Sequence, residues 1–230
     1  MHRATIFDLD DTLIDSGHAW SRVCAVFAAR HGHRWKPEDD VALHGNGGWA
    51  TFVAGLCGGA ASPAEVVETC TTAMTGEVAA GRVRALPGAV DLVLEAERHG
   101  PVGLATASPR RYVLAVLDTL GLAGRVRAAV CGEEVVRGKP APDAYLLAAA
   151  RIGIPPSACL AVEDSPNGIR SATAAGMPVL AIPRGGTPLP SAIAHLPAAQ
   201  APDATAALPL LTRLLTPRPQ PGPLVHERTP

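Results

Sequence analysis

Short apolar runs that stop at polar residues, glycine or proline recur along the chain. They occupy positions 4–10 (ATIFDLD), 101–108 (PVGLATAS), 128–132 (AAVCG), 159–165 (CLAVEDS) and 178–183 (PVLAIP). Runs this short, apolar on both faces and bounded by residues that break regular structure, are typical of buried strands in a parallel sheet.

Segments with helical spacing of apolar residues separate these runs. They are predicted at 88–99, 110–122, 143–152 and 167–175, and in the first of them Val90, Val93 and Leu94 recur at helical spacing. Pro87 suits the start of that first helix and Gly100 its end. Strands and helices in alternation predict an α/β fold with a doubly wound parallel sheet.

One long interval breaks the alternation, because no convincing strand lies between the first run and the second. Helices are predicted there at 16–30, 49–56 and 63–80, separated by glycine-rich breaks at 45–48 and 55–62. We therefore predict a core formed by residues 1–13 and 85–216, with residues 14–84 inserted as an α-helical cap domain. A last helix is predicted at 204–215, and residues 217–230, with five prolines in fourteen positions, are predicted to be a disordered tail.

Composition narrows the class of protein. Hydrophobic residues make up 47% of the 230 positions and the formal net charge is −1, so neither a disordered chain nor a basic nucleic-acid-binding surface is expected. The five cysteines are scattered without a CxxC spacing, which favours a reducing compartment. No signal-peptide pattern or membrane-spanning apolar run is evident. We expect a cytoplasmic monomer or homodimer that binds a small molecule, with no nucleic-acid or membrane partner.

Polar side chains follow the predicted strands at their carboxyl ends, where ligands bind in open α/β sheets. Asp8 and Asp10 follow the first strand, Thr106 the second, and Glu163 and Asp164 the fourth. Lys139 comes ahead of a helix, in RGKPAPD. Hard oxygen ligands suit Mg²⁺, while an ammonium and a hydroxyl suit phosphoryl oxygens.

Two of these carboxylates have complementary roles in phosphoryl transfer. Asp8 is placed to attack phosphorus and form an aspartyl phosphate, and Asp10 to protonate the leaving alcohol and then activate water. Ser108-Pro109 and Ser165-Pro166 each have the pattern of a helix N-cap followed by proline, which aims free N–H groups at the same place.

The segments DLDDTL, LATAS, RGKPAPD and AVEDSPNGI, in this order, resemble the four motifs of the haloacid-dehalogenase-like (HAD) superfamily. The resemblance covers residues 4–183 and is to the helical-cap subgroup, which includes β-phosphoglucomutase and small-molecule phosphatases. It implies a Rossmann-like core, with Asp8 as nucleophile and Asp10 as acid and base. It also implies that Thr106, Ala107 and Lys139 bind phosphate, and that Mg²⁺ is held by Asp8, the main-chain carbonyl of Asp10, Glu163 and Asp164.

The resemblance leaves several reactions open. Asp10 argues against a dehalogenase, and the cap has no lysine on a predicted helix as a phosphonatase needs. β-Phosphoglucomutase uses a cap histidine and arginine whose places here are Trp20 and Gly48. We therefore expect a phosphatase acting on a small sugar or polyol phosphate, with a phosphosugar mutase as the alternative and a non-catalytic phospho-ligand-binding module as a third hypothesis. Six basic and seven acidic cap residues make a polyanionic substrate unexpected.

Cap residues that follow the first motif or flank the glycine-rich turn are candidates for substrate specificity. They are Ser16, His18, Trp20, His44, Asn46 and Trp49. The turn GNGG (45–48) lacks the ending of a phosphate-binding P-loop and is predicted to be a flexible cap turn. Asp11 occupies a position that is often glycine in the family, and its side chain is expected to point away from the metal.

Overall fold

The computed structural model describes residues 2–216, and a parallel sheet forms its centre. The strands lie in the spatial order β5 (Val126–Val130), β4 (Val102–Ala105), β1 (Ala4–Phe7), β6 (Cys159–Glu163), β7 (Val179–Ala181) and β8 (Ala199–Gln200). Each neighbouring pair is parallel, with Thr5 opposite Val102 on one side and Leu160 on the other. The predicted doubly wound α/β fold is confirmed.

The α-helices after residue 85 cover both faces of the sheet, and those before it lie in the segment between residues 14 and 84. In chain order they are α1 (Gly17–Arg30), α2 (Pro37–Leu43), α3 (Trp49–Leu56), α4 (Pro63–Ala79), α5 (Ala89–His99), α6 (Arg110–Thr119), α7 (Asp143–Ile152), α8 (Pro166–Ala174) and α9 (Ala204–Leu215). Successive strand residues point to opposite faces, so Phe7 belongs to the core that includes residues of α5, α6 and α9, while Ile6 belongs to the core that includes residues of α7 and α8. This double burial explains why the strands are apolar throughout.

The segment predicted as a cap leaves and rejoins the sheet through a short antiparallel pair, β2 (Ile14–Asp15) and β3 (Arg84–Ala85). The four helices α1 to α4 lie between these two strands. The expectation that this interval has no strand was therefore wrong, because two residues are too few to show a periodic pattern. Helix α2 was also missed, since its sequence PEDDVAL is charged and short. The proposed domain division stays a prediction.

Two predicted helix starts also differ from the structure. Gly88 has a left-handed φ of 79°, so α5 begins at Ala89 and Pro87 lies outside the helix. Pro109, not Ser108, is the N-cap of α6, and its backbone is extended. Ser165 does cap α8, by accepting a hydrogen bond from the Gly168 amide.

The carboxyl-terminal part of the described chain adds the edge strand β8, which was not predicted, and α9, whose predicted bounds are confirmed. The predicted disordered tail, 217–230, lies outside the described residues. Among residues 2–216 there is no helix long and apolar enough to cross a membrane.

Candidate active site

A cavity that opens to solvent lies at the carboxyl ends of the strands beneath the cap segment. Among the predicted site residues, those that line it are Asp8, Asp10, Trp20, His44, Asn46, Trp49, Thr106, Ala107, Lys139 and Asp164. The carboxyl ends of parallel strands lie at one edge of the sheet, so residues that follow these strands in the sequence meet there. This is why the core residues of the set could be predicted to lie together.

Lys139 sits between two carboxylates at the floor of the cavity. Its Nζ donates to Asp8 Oδ1 and to Glu163 Oε1, each at 2.5 Å, and its side chain is only 3% exposed. Burial alone lowers the pKa of Lys139, but Asp8 and Glu163 outweigh this and raise it. The lysine is therefore a fixed positive charge next to Asp8.

The buried carboxylates carry more negative charge than this lysine offsets. Asp8, Glu163 and Asp164 have oxygen atoms within 4.8 Å of one another, so three acids face one ammonium. Burial raises the pKa of Asp8 to about 8, against the pull of Lys139 and with the repulsion of Glu163 and Asp10. Burial and the same neighbouring acids raise the pKa of Asp164.

The geometry of Asp164 fits a metal ion. Its Oδ2 atom is buried and makes no hydrogen bond within residues 2–216, although His44 Nε2 lies 3.3 Å away without hydrogen-bond geometry. An unpartnered carboxylate oxygen among like charges is costly unless a cation approaches it. The acidic group is thus able to hold a metal, and its all-oxygen donors suit a hard divalent cation.

Glu163 is already fully engaged by the protein. Its two oxygens accept five hydrogen bonds, which come from Lys139 Nζ, Tyr145 OH, the amides of Asp164 and Ser165, and the Ser165 hydroxyl. Its carboxylate holds the Lys139 ammonium in place by accepting a hydrogen bond from it. Metal ligation by Glu163 stays a prediction, and the free oxygen of Asp164 makes Asp164 the better placed ligand of the two.

The carboxylate of Asp10 is held by four side chains. Oδ1 accepts from Ser16 Oγ at 2.7 Å, Trp20 Nε1 at 2.9 Å and Tyr112 OH at 3.0 Å, while Oδ2 accepts from Ser108 Oγ at 2.5 Å. Because its hydroxyl donates to Asp10, Ser108 does not cap α6.

Asp11 lines the wall of the cavity, and the expectation that its side chain points away from a metal stays a prediction. Its φ of 60° is left-handed, which explains why glycine suits this position. Its Oδ1 accepts from the amides at the start of α1, Ser16 and Gly17. Its Oδ2 lies 3.2 Å from Arg184 Nε and 3.8 Å from His44 Nδ1. Asp11 thus joins the core, the cap helix and the cap loop.

Four of the predicted cap residues differ in how they contribute to the site. Trp20 and Trp49 line the cavity and pack together with ring centroids 5.1 Å apart. Asn46 lines it as well, but its side-chain amide is used locally: it donates to Ala42 O in α2 and accepts from the Gly48 amide. Ser16 is buried and contacts Asp10 rather than the open cavity.

His18 is the candidate that the structure does not bring to the site. It is exposed on α1 and does not line the cavity, because helical geometry turns it away when its neighbours Ala19 and Trp20 face inward.

The glycine-rich cap turn packs against the loop that carries Lys139. The Gly47 amide donates to Lys139 O at 3.1 Å. A Cβ on Gly47 would overlap the backbone of Gly138 and Lys139, and a Cβ on Gly138 would overlap Gly47. The turn is therefore fitted closely to the core by main-chain contact, with no sign of a phosphate-binding P-loop.

Sequence reasoning missed three residues that shape the site. Arg184 lies three residues after the end of β7 and lines the cavity, so it stands at a strand end like the other core residues of the site. Asp40 lines the cavity from α2, the helix that was not predicted. Tyr112 reaches Asp10 from the first turn of α6, and no local pattern in the sequence signals that contact.

Fold and site together define a doubly wound α/β enzyme whose acidic cavity lies under an inserted helical segment. Residues 2–176 match the haloacid dehalogenase-like hydrolases as a family. The chain belongs to this family, which confirms the resemblance drawn from its motifs.

Two curated relatives and one solved structure illustrate the similarity. Hexitol phosphatase A of Escherichia coli (strain K12) is 36% identical over 183 residues, 77% of this chain and 81% of that protein. Validoxylamine A 7'-phosphate phosphatase of Streptomyces hygroscopicus subsp. limoneus is 33% identical over 193 residues, covering 77% and 84%. The crystal structure of CbbY from Rhodobacter sphaeroides in complex with phosphate superposes with a TM-score of 0.81 at 26% identity, covering 90% and 96%.

Proposed function

We propose that this chain is a Mg²⁺-dependent phosphomonoesterase that hydrolyses a small sugar or polyol phosphate through an aspartyl phosphate. The observation that carries the proposal is the placement of Lys139 Nζ, 2.5 Å from both Asp8 and Glu163 at the ends of two adjacent strands. Such a lysine holds a nucleophilic carboxylate in place and offsets charge on an incoming phosphoryl group.

The first step is the attack of an Asp8 oxygen on phosphorus. The bond between phosphorus and the ester oxygen breaks, and the proton of a protonated Asp10 goes to the leaving alcohol. Thr106, Ala107 and Lys139, which line the cavity beside Asp8, are the proposed contacts of the phosphoryl oxygens.

The second step returns the enzyme to its starting state. Water attacks the phosphorus of the aspartyl phosphate and gives its proton to the Asp10 carboxylate. The acyl phosphate bond breaks, inorganic phosphate leaves and the Asp8 carboxylate is restored. Asp10 lines the cavity next to Asp8, as a group that serves both steps must.

The metal proposal rests on the donor set. Asp8, Asp164 and the main-chain carbonyl of Asp10 are the proposed ligands, with Glu163 at the edge of the group. Bound Mg²⁺ supplies charge neutralisation for the phosphoryl oxygens and the attacking carboxylate. The unpartnered Oδ2 of Asp164 supports this assignment.

The substrate class is inferred from the cavity wall and from the relatives. The cap side of the cavity combines the aromatic side chains of Trp20 and Trp49 with the polar groups of Asp40 and His44, a mixture that suits a hydroxylated carbon skeleton. The names of both relatives described above specify phosphate esters of polyol or sugar-like molecules. A mobile cap would exclude water during reaction and release the product afterwards.

The test is phosphate release from a panel of hexitol, hexose and nucleoside monophosphates, with Mg²⁺ and with a chelator. We expect Mg²⁺-dependent release from polyol or sugar phosphates, and its loss in Asp8→Asn by at least about a thousandfold, since no nucleophile remains. Asp10→Asn should fall by about a hundredfold or more. Asp118→Asn, on the outer part of α6, is the matched control with unchanged rate.

The same panel separates the other hypotheses. A mutase would yield an isomerised sugar phosphate with little free phosphate and would need a bisphosphate activator. A binding module would bind phosphate analogues yet release phosphate from no ester. Parent-level activity in Asp8→Asn would refute the aspartyl-phosphate mechanism for any of these reactions.

A further inference from the structure

The carboxylate of Asp10 lies where the core and the cap segment meet. Of its four hydrogen-bond donors, Ser108 and Tyr112 belong to the core, whereas Ser16 and Trp20 belong to the inserted segment. Three of the donors converge on a single oxygen, Oδ1. A carboxylate bound from several directions keeps one orientation, because rotation would break several charge-assisted hydrogen bonds at once.

Tyr112 and Trp20 make this arrangement rigid. Tyr112, on α6, is fully buried, so packing against the core holds its ring in place. The rings of Trp20 and Tyr112 pack edge to face with centroids 5.2 Å apart, and each places its polar hydrogen on Asp10 Oδ1.

A purely structural role would not require this geometry. A buried tyrosine hydroxyl needs a hydrogen-bond partner, and a main-chain carbonyl would serve. Here the partner is the one carboxylate that the proposed mechanism uses as acid and base. Tyr112 and Asp10 are 102 positions apart in the sequence, and the Tyr112 ring also packs against Trp20 of the cap segment.

We propose that Tyr112, packed against Trp20, is a positioning residue that fixes the Asp10 carboxylate for proton delivery to the leaving alcohol. Since Trp20 belongs to the cap segment, the pair completes the orientation of Asp10 only when that segment lies against the core. The inference rests on the proposed phosphomonoesterase function and names residues outside the four motifs.

The test exploits leaving groups that differ in their need for a proton. An alkyl ester such as a hexitol phosphate needs an acid to release its alcohol, whereas 4-nitrophenyl phosphate releases a stable phenolate. The value of kcat/KM reports the steps up to alcohol release, so mispositioning Asp10 lowers it mainly for the alkyl ester. Tyr112→Phe keeps the ring and removes only the hydroxyl.

We expect Tyr112→Phe to lower kcat/KM about tenfold or more on the hexitol phosphate, and at most about twofold on 4-nitrophenyl phosphate. Inhibition by orthovanadate, which reports the phosphate site, should be unchanged. Trp20→Phe should shift the ratio of the two kcat/KM values in the same direction, and it tests the pair if Tyr112→Phe does not fold. Val116→Ala, a buried change on the same helix, is the stability control and should leave the ratio unaltered.

Asp10→Asn provides the reference for complete loss of the acid, with the largest change in that ratio. If Asp10→Asn changes the ratio while Tyr112→Phe and Trp20→Phe lower both rates equally or not at all, the positioning role is refuted and the phosphatase function stands. If the parent enzyme hydrolyses neither ester, the proposed function fails and this inference fails with it.

Discussion

The contact between the cap turn and the Lys139 loop makes a sharp prediction for Gly47→Ala. The added methyl group would overlap the main chain of Gly138 and the amide nitrogen of Lys139, which no side-chain rotation relieves. Gly47 does not have a left-handed φ, so alanine fits its own backbone conformation and the overlap is the main cost. Only displacement of the turn from the core removes it.

The magnitude follows from two costs that the closed cap bears when the turn shifts slightly to accommodate the methyl group: the remaining overlap and the lost hydrogen bond of the Gly47 amide. Overpacking a close contact costs about 1–3 kcal/mol, and the hydrogen bond from the Gly47 amide to Lys139 O contributes about 0.5–1.5 kcal/mol. Together they disfavour the closed cap by about 2–4 kcal/mol relative to an open one. At about 1.4 kcal/mol per factor of ten, kcat/KM should fall by about 30-fold to several hundredfold if the closed cap is only marginally preferred.

Steady-state kinetics on a hexitol phosphate measure this loss, and thermal unfolding shows where the energy goes. The melting temperature should change little, because opening the cap relieves the overlap without unfolding either part. Gly76→Ala is the matched control: its Cβ would meet nothing within 4 Å on the exposed side of α4, so kinetics should be unchanged. Wild-type kcat/KM in Gly47→Ala would show that the turn does not need this contact.

Three further predictions concern buried charge and stability. Lys139→Met should lower the free energy of unfolding by about 3–5 kcal/mol in denaturant titrations, because it leaves two buried carboxylates without their cation. A change below about 1 kcal/mol would contradict the ion-pair interpretation. Gly168→Ala should yield little folded protein on expression, since the added Cβ would overlap the carboxyl group of Glu163. Normal folding and activity of this variant would instead show that the Glu163 carboxylate can move. Burial alone raises the pKa of Glu134, but the hydrogen bond from Arg151 and other contacts lower this pKa from 4.5 to about 2. The Glu134 carboxylate therefore contributes about 1–2 kcal/mol of stability after allowance for solvent screening. That contribution is present above pH 4.5 and is lost as the pH falls towards 2. Glu134→Gln should remove that part of the pH dependence in unfolding measured across this range, and an unchanged slope would contradict the assignment.

Much of the fold could be predicted from local pattern. Five of the six strands of the described sheet were predicted because each contains a short apolar run, which in β1, β4, β6 and β7 is buried on both faces. Helices α3, α7 and α9 were predicted with the bounds they have. The elements that were missed are those with little local signal. Strands β2, β3 and β8 have two residues each, and their existence depends on a partner strand rather than on their own sequence.

The candidate site was predictable to the extent that it follows strand ends. Asp8, Thr106, Lys139 and Asp164 meet in one cavity because parallel strands and their following loops converge there. Arg184 follows the fifth apolar run in the same way, so its place in the cavity could also have been predicted from the sequence. His18 failed because a residue's direction on a helix depends on which face packs, and packing is a tertiary property.

The sequence by itself determined the alternation of strands and helices, the family, and which acidic and basic side chains stand at the strand ends. These properties depend on residues close together in the chain, where spacing and side-chain type act directly. Only the tertiary structure decided that Asp10 is held by Tyr112 and Trp20, that Asp11 joins the cap helix to Arg184, and that Gly47 lies against Gly138. These contacts depend on how the inserted helices dock on the sheet, and that docking is set by the complementary shapes of surfaces far apart in sequence.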